Sequence, residues 1–515
     1  MLIYQEGIYY VLWFLFLIII SFLIITFPEI WRRFRNISKK TWIILFLIFL
    51  FGLLIRLFIA PHMHLMYVDE NLYMEMAKNM NLKGEASICK YINYQTEYCF
   101  FLNTKPNGWP FLISLIFLVF GLNNYIVLYL ASIAGALSVL LIFMLTYLFF
   151  KKEEASLWAA FFYAFTPINI IWANTAETNS ISVFFLLLSF ILFVNYLIAK
   201  NYRSLLLFLT LYLFTILIRF ENIIFFPLFI LGTALFFDKN KKNYFSDFAK
   251  KNLLYISLAI MAGVLMLHWL FFPAYLSTII RMDYYFLNII EFLPLSSFYF
   301  IFLVLALFLI FTAKKENIYK KYFVFILFIV SFLLYLPFFR ESRMALTPII
   351  FLIILSGASV SKITLFFSKR AKQLVLFCII ALFCLAFWVS LDNEIKKIPE
   401  EYVLQTKAIL EVSKIVPDNS YVVSYLSVLP GSVANFKNID TNDFLKIENH
   451  TEYETQGNDV YFLYDMYCIP IPYLYEINIE KKCETILNSF EYTIIQEFEE
   501  KDTKFFLIKL KIDEE

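Results

Sequence analysis

The stretch "YVDENLY", residues 67–73, sets two adjacent carboxylates, Asp69 and Glu70, just beyond an apolar run. Asp69 has two readings. It can N-cap a helix over 70–80, with Glu70 favourable in the first turn. It can also act as a general base, because a partly desolvated carboxylate can have a raised pKa and take a proton from a hydroxyl. The two are compatible, since a capped carboxylate is well aimed. Lys105, in "NTKPNGWP", is either a snorkelling loop lysine or an anion clamp stiffened by Pro106 and Pro110. Arg340 and Arg343, in "FFRESRMALTP", either pair with Glu341 or offer guanidinium forks to a phosphate. Arg219 and Glu221 fit a structural pair in a tight turn. Charges at membrane depth are costly and so mark function by default, which adds His64 and Glu177. His62 and His64 offer two metal ligands, but no second carboxylate stands at D-x-D spacing. No cofactor is required, and a divalent ion is not favoured.

These residues need elements to hold them. The 515 residues are 61% hydrophobic, well above the roughly 45–50% of soluble domains. Apolar stretches of about 20 residues recur, each long enough to span a bilayer. The composition predicts a polytopic α-helical membrane protein, with membrane lipids around it and no nucleic-acid partner. The first run, Ile8–Thr26, lacks a basic start and a small-residue cleavage site, so it reads as a retained span. Spans are expected near 8–27, 41–60, 125–149, 155–173, 178–199, 204–220, 222–237, 252–273, 294–312, 322–338, 345–364 and 373–391, about twelve transmembrane helices. Every second connection is basic. Arg32, Arg33 and Arg35 follow the first span, Lys151 and Lys152 the third, and Lys369, Arg370 and Lys372 the eleventh. The positive-inside rule then puts these connections in the cytoplasm. The N-terminus, the 61–124 loop and everything after 391 fall outside.

The outer loop 61–124 carries the carboxylate pair. After it, Leu72, Tyr73, Met76, Ala77 and Met80 recur at helical spacing, which predicts an amphipathic helix along the interface. Trp109–Phe120 is too short to span and reads as interfacial or re-entrant. Residues 392–515 turn polar, with β-rich runs at 421–423, 460–463 and 504–510 and a helical stretch at 399–415. They predict a small extracytoplasmic soluble α/β domain. Cys89 and Cys99 share the outer loop, and Cys468 and Cys483 share the last domain. Two even pairs on the oxidising side suggest two disulfides, with four free thiols as the alternative.

Taken in order, these pieces resemble the glycosyltransferase C superfamily of membrane enzymes. They are most similar to the branch holding dolichyl-phosphate-mannose protein mannosyltransferases and the lipid A aminoarabinose transferase. The matching elements are Asp69-Glu70-x-x-Tyr73, then Lys105-Pro106-Asn107-Gly108-Trp109-Pro110, the turn Arg219-Phe220-Glu221, and Arg340-Glu341-Ser342-Arg343. Asn107 stands where that branch has a second proline. The resemblance covers roughly residues 41–365. It divides the chain into an additional N-terminal helix with its basic loop (1–40), a transmembrane catalytic domain (41–391) and the extracytoplasmic domain (392–515). It implies a hexosyltransferase of the cell membrane that uses a polyprenyl (dolichyl) phosphate sugar, with a protein, glycan or lipid acceptor. Asp69 would be the base of an inverting displacement, and Glu70 would orient the acceptor or tune Asp69. Lys105, Arg340, Arg343 and Arg219 would hold the donor phosphate, while Tyr73, His64 and Glu177 would touch donor or acceptor. The competing reading is a transporter or flippase of lipid-linked saccharides. It would predict matched halves and a mid-span charge cluster, and neither is visible.

Overall fold

The computed structural model describes residues 2–64, 67–92, 94, 96–100, 105–199, 202–236, 297–312, 318–335, 342–396, 398–425, 434, 436–447, 459–469, 479–501 and 503–512. The span expected at 252–273 lies outside them, as do Arg340 and Glu341. Among the described residues six helices are long and apolar enough to cross a membrane. They are Gly7–Arg32, Lys39–Phe58, Tyr125–Phe150, Thr178–Ala199, Leu346–Phe366 and Arg370–Asn393. The expected straight span at 155–173 is instead a bent pair, Glu153–Ala164 and Pro167–Asn174, turning by 64°. Pro167 has no N–H to continue the ladder and restricts Thr166 before it, so the helix breaks there. Counting that pair gives seven. The spans expected at 204–220, 222–237, 294–312 and 322–338 appear as shorter apolar helices, so twelve full-length spans are not reached among the described residues.

The helices are labelled α1 (Leu2–Arg32), α2 (Lys39–Phe58), α3 (Tyr67–Leu82), α4 (Gly108–Phe120), α5 (Asn124–Phe150), α6 (Glu153–Ala164), α7 (Pro167–Ile171), α8 (Thr178–Ala199), α9 (Tyr202–Ile218) and α10 (Phe225–Phe236). They continue with α11 (Ser297–Phe311), α12 (Ile318–Tyr335), α13 (Leu346–Ile363), α14 (Lys369–Lys396) and α15 (Glu400–Ile415). Local signals set several boundaries. The Ser38 hydroxyl accepts from the Thr41 amide at the head of α2, and Asn123 does the same for Tyr125 at the head of α5. Small residues let helices approach closely. A Cβ on Gly357 of α13 would lie 2.5 Å from the Ala155 carbonyl of α6.

Helix α3 is not the half-exposed amphipathic element that its spacing predicts. Met74, Met76, Ala77 and Met80 are fully buried, and Glu75, Lys78 and Asn79 on the polar side are buried too. Their polar atoms are matched inside the protein. Lys78 Nζ lies 3.2 Å from Glu75 Oε2, and Asn79 Nδ2 donates to the Ser87 carbonyl at 2.8 Å.

The reason is a sheet built from two distant parts of the chain. Its strands are β1 (Ile88–Tyr91), β2 (Glu97–Phe100), β3 (Tyr421–Ser424), β4 (Lys437–Asp440), β5 (Val460–Tyr464), β6 (Glu491–Glu500) and β7 (Thr503–Lys511), in the order β2-β1-β4-β3-β5-β7-β6. β4, β3 and β5 run parallel, and β1 joins β4 in parallel through Tyr91 opposite Ile439. Residues 392–515 therefore do not complete their sheet alone, because two strands come from the loop after α3. All four residues of β3 are buried, as both-faces-covered parallel strands require. Cys89 and Cys99 sit opposite each other across β1 and β2 and form a disulfide. A second disulfide joins Cys468 and Cys483, and Cys378 and Cys384 are free.

Candidate active site

Helix α3 begins at Tyr67, so Asp69 and Glu70 lie inside its first turn. Asp69 is thus not the N-cap that the sequence suggests. The positive end of the helix dipole at that turn still favours both carboxylates. Asp69 Oδ1 is 2.5 Å from Lys105 Nζ, and Asp69 Oδ2 is 3.7 Å from Arg343 Nη2. About a fifth of the Asp69 and Lys105 side chains is exposed, against 9% for Arg343. Arg343 also places Nη1 2.5 Å from Glu177 Oε1, and its guanidinium lies over the Trp172 ring at 6.0 Å. A carboxylate, an ammonium, a guanidinium and a second carboxylate thus meet from four separate parts of the chain.

Glu70 points elsewhere and is fully buried. Its Oε2 accepts from the Ala176 amide at 2.8 Å and lies 2.9 Å from His64 Nδ1. The peptide of Ala176 is held from its other side, since Trp109 Nε1 donates to its carbonyl at 2.7 Å. Asn174 anchors the same segment by donating to the carbonyls of Arg56 and Ala60 at 2.7 and 2.9 Å. Lys105 is placed by the start of α4. A Cβ on Gly108 would come within 2.8 Å of the backbone of Leu217 and Ile218, so this turn seats directly on the end of α9.

The charge balance is uneven. Burial pushes Glu177 up to about 7, against the opposing pull of Arg343, and the charges of Asp69 and Glu70 add to the rise. Arg219 also acts on Glu177, and it pairs with Glu221 at 3.4 Å and with Asn179. Tyr73 follows Asp69 by one turn and is buried in the helical core. His62 and His64 take different partners. His62 Nε2 meets the Ser132 hydroxyl at 3.3 Å, and its ring lies 4.5 Å from that of Tyr129.

Three contributors are not among the residues singled out from sequence: Trp109, Asn174 and the backbone of Ala176. The signal for Asn174 and Ala176 is the polar interruption "WANTAETNS", residues 172–180, between two apolar runs, while Trp109 stands in the Lys105–Pro110 stretch. The interruption looks like a loop, but its Ala176 amide holds Glu70 and its Glu177 holds Arg343, which reaches Asp69.

The model of the family described as dolichyl-phosphate-mannose-protein mannosyltransferase matches residues 104–269, which include Lys105, Glu177 and Arg219. ArnT from Cupriavidus metallidurans, solved in the apo state, superposes with a TM-score of 0.57 at 12% identity, covering 92% of this chain and 98% of that one. The chain resembles the glycosyltransferase C membrane enzymes. The form of ArnT bound to undecaprenyl phosphate gives a TM-score of 0.56 with the same coverage and identity. Another neighbour is the oligosaccharyltransferase AglB from Archaeoglobus fulgidus, in complex with an inhibitory peptide and a dolichol-phosphate. It gives a TM-score of 0.55 at 12% identity over 82% of this chain and 69% of that one. No curated protein matches the sequence. At such identity the likeness to these structures lies in the fold, and the chemistry must be argued from the residues.

Proposed function

We propose that the chain is a membrane glycosyltransferase that moves a sugar from a polyprenyl-phosphate donor to an acceptor hydroxyl. The observation that carries this is Asp69 held between Lys105 and Arg343. A carboxylate fit to take a proton stands beside two cations of the kind that bind a phosphate. Asp69 takes the acceptor's hydroxyl proton, and that oxygen bonds to the anomeric carbon. The bond from that carbon to the phosphate oxygen breaks, and the polyprenyl phosphate leaves with the electron pair. Attack from the opposite face inverts the anomeric centre. Lys105 and Arg343 hold the leaving phosphate, and Glu177 sets the angle of Arg343. One phosphate and two cations need no metal to balance charge. The tail lies among the apolar spans. Its undecaprenyl phosphate and dolichol-phosphate counterparts are bound by ArnT and AglB.

The basic connections between spans support an extracytoplasmic side of the cell membrane for this site, the N-terminus and the last domain. The test is transfer by the purified protein from a panel of polyprenyl-phosphate sugars, read by mass spectrometry of the products. Wild type should transfer one sugar unit with inversion. Asp69→Asn should insert and fold normally and transfer none. Transfer that survives this substitution rules out the assignment, and transport of an intact lipid-linked sugar by wild type supports a flippase.

A further inference from the structure

Two parts of the chain far apart in sequence meet at Glu70. The β1–β2 hairpin docks on the last domain through the sheet, through Lys90 Nζ 2.6 Å from Asp443 Oδ2, and through the Tyr421 hydroxyl donating to the Tyr94 carbonyl at 2.7 Å. That contact brings α15 against the segment before α3. Thr406 of α15 spends its hydroxyl proton on the Tyr402 carbonyl at 3.0 Å, which turns a lone pair outward. That lone pair accepts the backbone N–H of His64 at 3.3 Å.

His64 is 1% exposed. Its Nδ1 faces Glu70 Oε2, which already accepts the Ala176 amide. The tautomer that suits this contact carries its proton on Nδ1, which then donates to the carboxyl oxygen. Nε2 is buried with no partner among the described residues. Glu70 is thus the single hydrogen-bond partner of the ring among the described residues. We propose that His64 is a positioning residue for Glu70 and that the C-terminal domain holds it in place through Thr406. The second carboxylate of the pair is then aimed by a domain whose sequence begins more than three hundred residues later. The inference rests on the transfer reading for its effect on rate, though not for the contact itself.

The test uses the full chain in lipid nanodiscs with His64→Ala, His64→Asn and Thr406→Val. The Asn amide can replace the Nδ1–H donor. His64→Ala should lower kcat by about 10- to 100-fold, while KM for the donor stays within about twofold. His64→Asn should recover most of that loss, and Thr406→Val should lower kcat by about threefold. Hydrogen exchange of the peptides covering 67–76 and 172–177 should quicken in His64→Ala and Thr406→Val and stay at the wild-type rate in His64→Asn. Three results would each overturn the proposal: unchanged exchange in His64→Ala, unchanged kcat beside an active wild type, or His64→Asn no better than His64→Ala. If wild type transfers no sugar, the transfer reading fails, and the exchange pattern still decides whether His64 orders Glu70.

Discussion

Lys105 Nζ lies 2.5 Å from Asp69 Oδ1 while Arg343 reaches the other oxygen of the same carboxylate. The proposed base is therefore held by the cations proposed for the donor phosphate. A phosphate that binds both cations competes with Asp69 and frees it for the acceptor. Asp69→Asn removes the competitor, so it should bind polyprenyl phosphate at least as tightly as wild type while losing transfer. Lys105→Ala and Arg343→Ala each remove a charge-assisted contact and should weaken that binding by about 10- to 100-fold. Titration of the protein with polyprenyl phosphate by intrinsic fluorescence checks both. Weaker binding by Asp69→Asn would contradict the competition.

Glu177 gives the pair a pH dependence. With its pKa raised to about 7, mainly by burial, it gains a proton as pH falls below that value. Arg343 then loses the charge on its partner at 2.5 Å. Transfer should fall on the acid side of about pH 7, and Glu177→Gln should show a low rate without that limb.

The stability effect runs the other way. A carboxyl whose folded pKa stands above its ordinary 4.5 binds the proton more tightly when folded. Its contribution is complete below the ordinary value and is lost as pH rises through about 7. Thermal melts between about pH 4 and about pH 8 should decline less in Glu177→Gln than in wild type.

Trp109→Phe keeps the apolar ring and removes the N–H that holds the Ala176 carbonyl. A buried carbonyl left unmatched costs about 1–3 kcal/mol. The melting temperature should drop by a few degrees, and transfer should fall as well, because the Ala176 amide that fixes Glu70 shifts. A drop in stability with no change in kcat would show that this peptide does not set Glu70.

Gly108→Ala tests the seat of the lysine loop. The added Cβ meets the backbone of Leu217 and Ile218 at 2.8 Å, where no side chain can yield. Overpacking of this kind costs about 1–3 kcal/mol. Since α4 must then move off α9, Lys105 moves with it. Thermal melting and donor KM measured together should both worsen.

Much of the site is legible in the sequence, because charge at membrane depth is rare enough to stand out. Asp69, Glu70, Lys105, Glu177 and Arg343 are each visible as expensive residues flanking apolar runs, and the structure gathers four of them while Glu70 turns to His64 and Ala176. Arg219 is visible too, and the structure pairs it with Glu221 and Asn179, beside Glu177. Hydrophobic length likewise marks the helices, since a bilayer demands about 20 apolar residues whatever the packing. It overstates the straight spans where Pro167 breaks a run and where paired runs are short.

The amino-acid order by itself determined which segments are apolar, where the costly charges stand, and which cysteines are near enough in sequence to pair. Only the tertiary structure decided partnership. Periodicity in α3 shows an apolar face but cannot show that a hairpin and a distant domain cover the polar one. Nothing near Glu70 in the chain announces Ala176 or His64 as its partners, because a backbone amide has no sequence signature and a lone histidine has many uses. Nor could spacing show that Thr406 bonds to His64, which stands 342 residues before it. Such contacts are fixed by the closing of the sheet across the whole chain, and the free energy that sets them is released only when both parts are folded together.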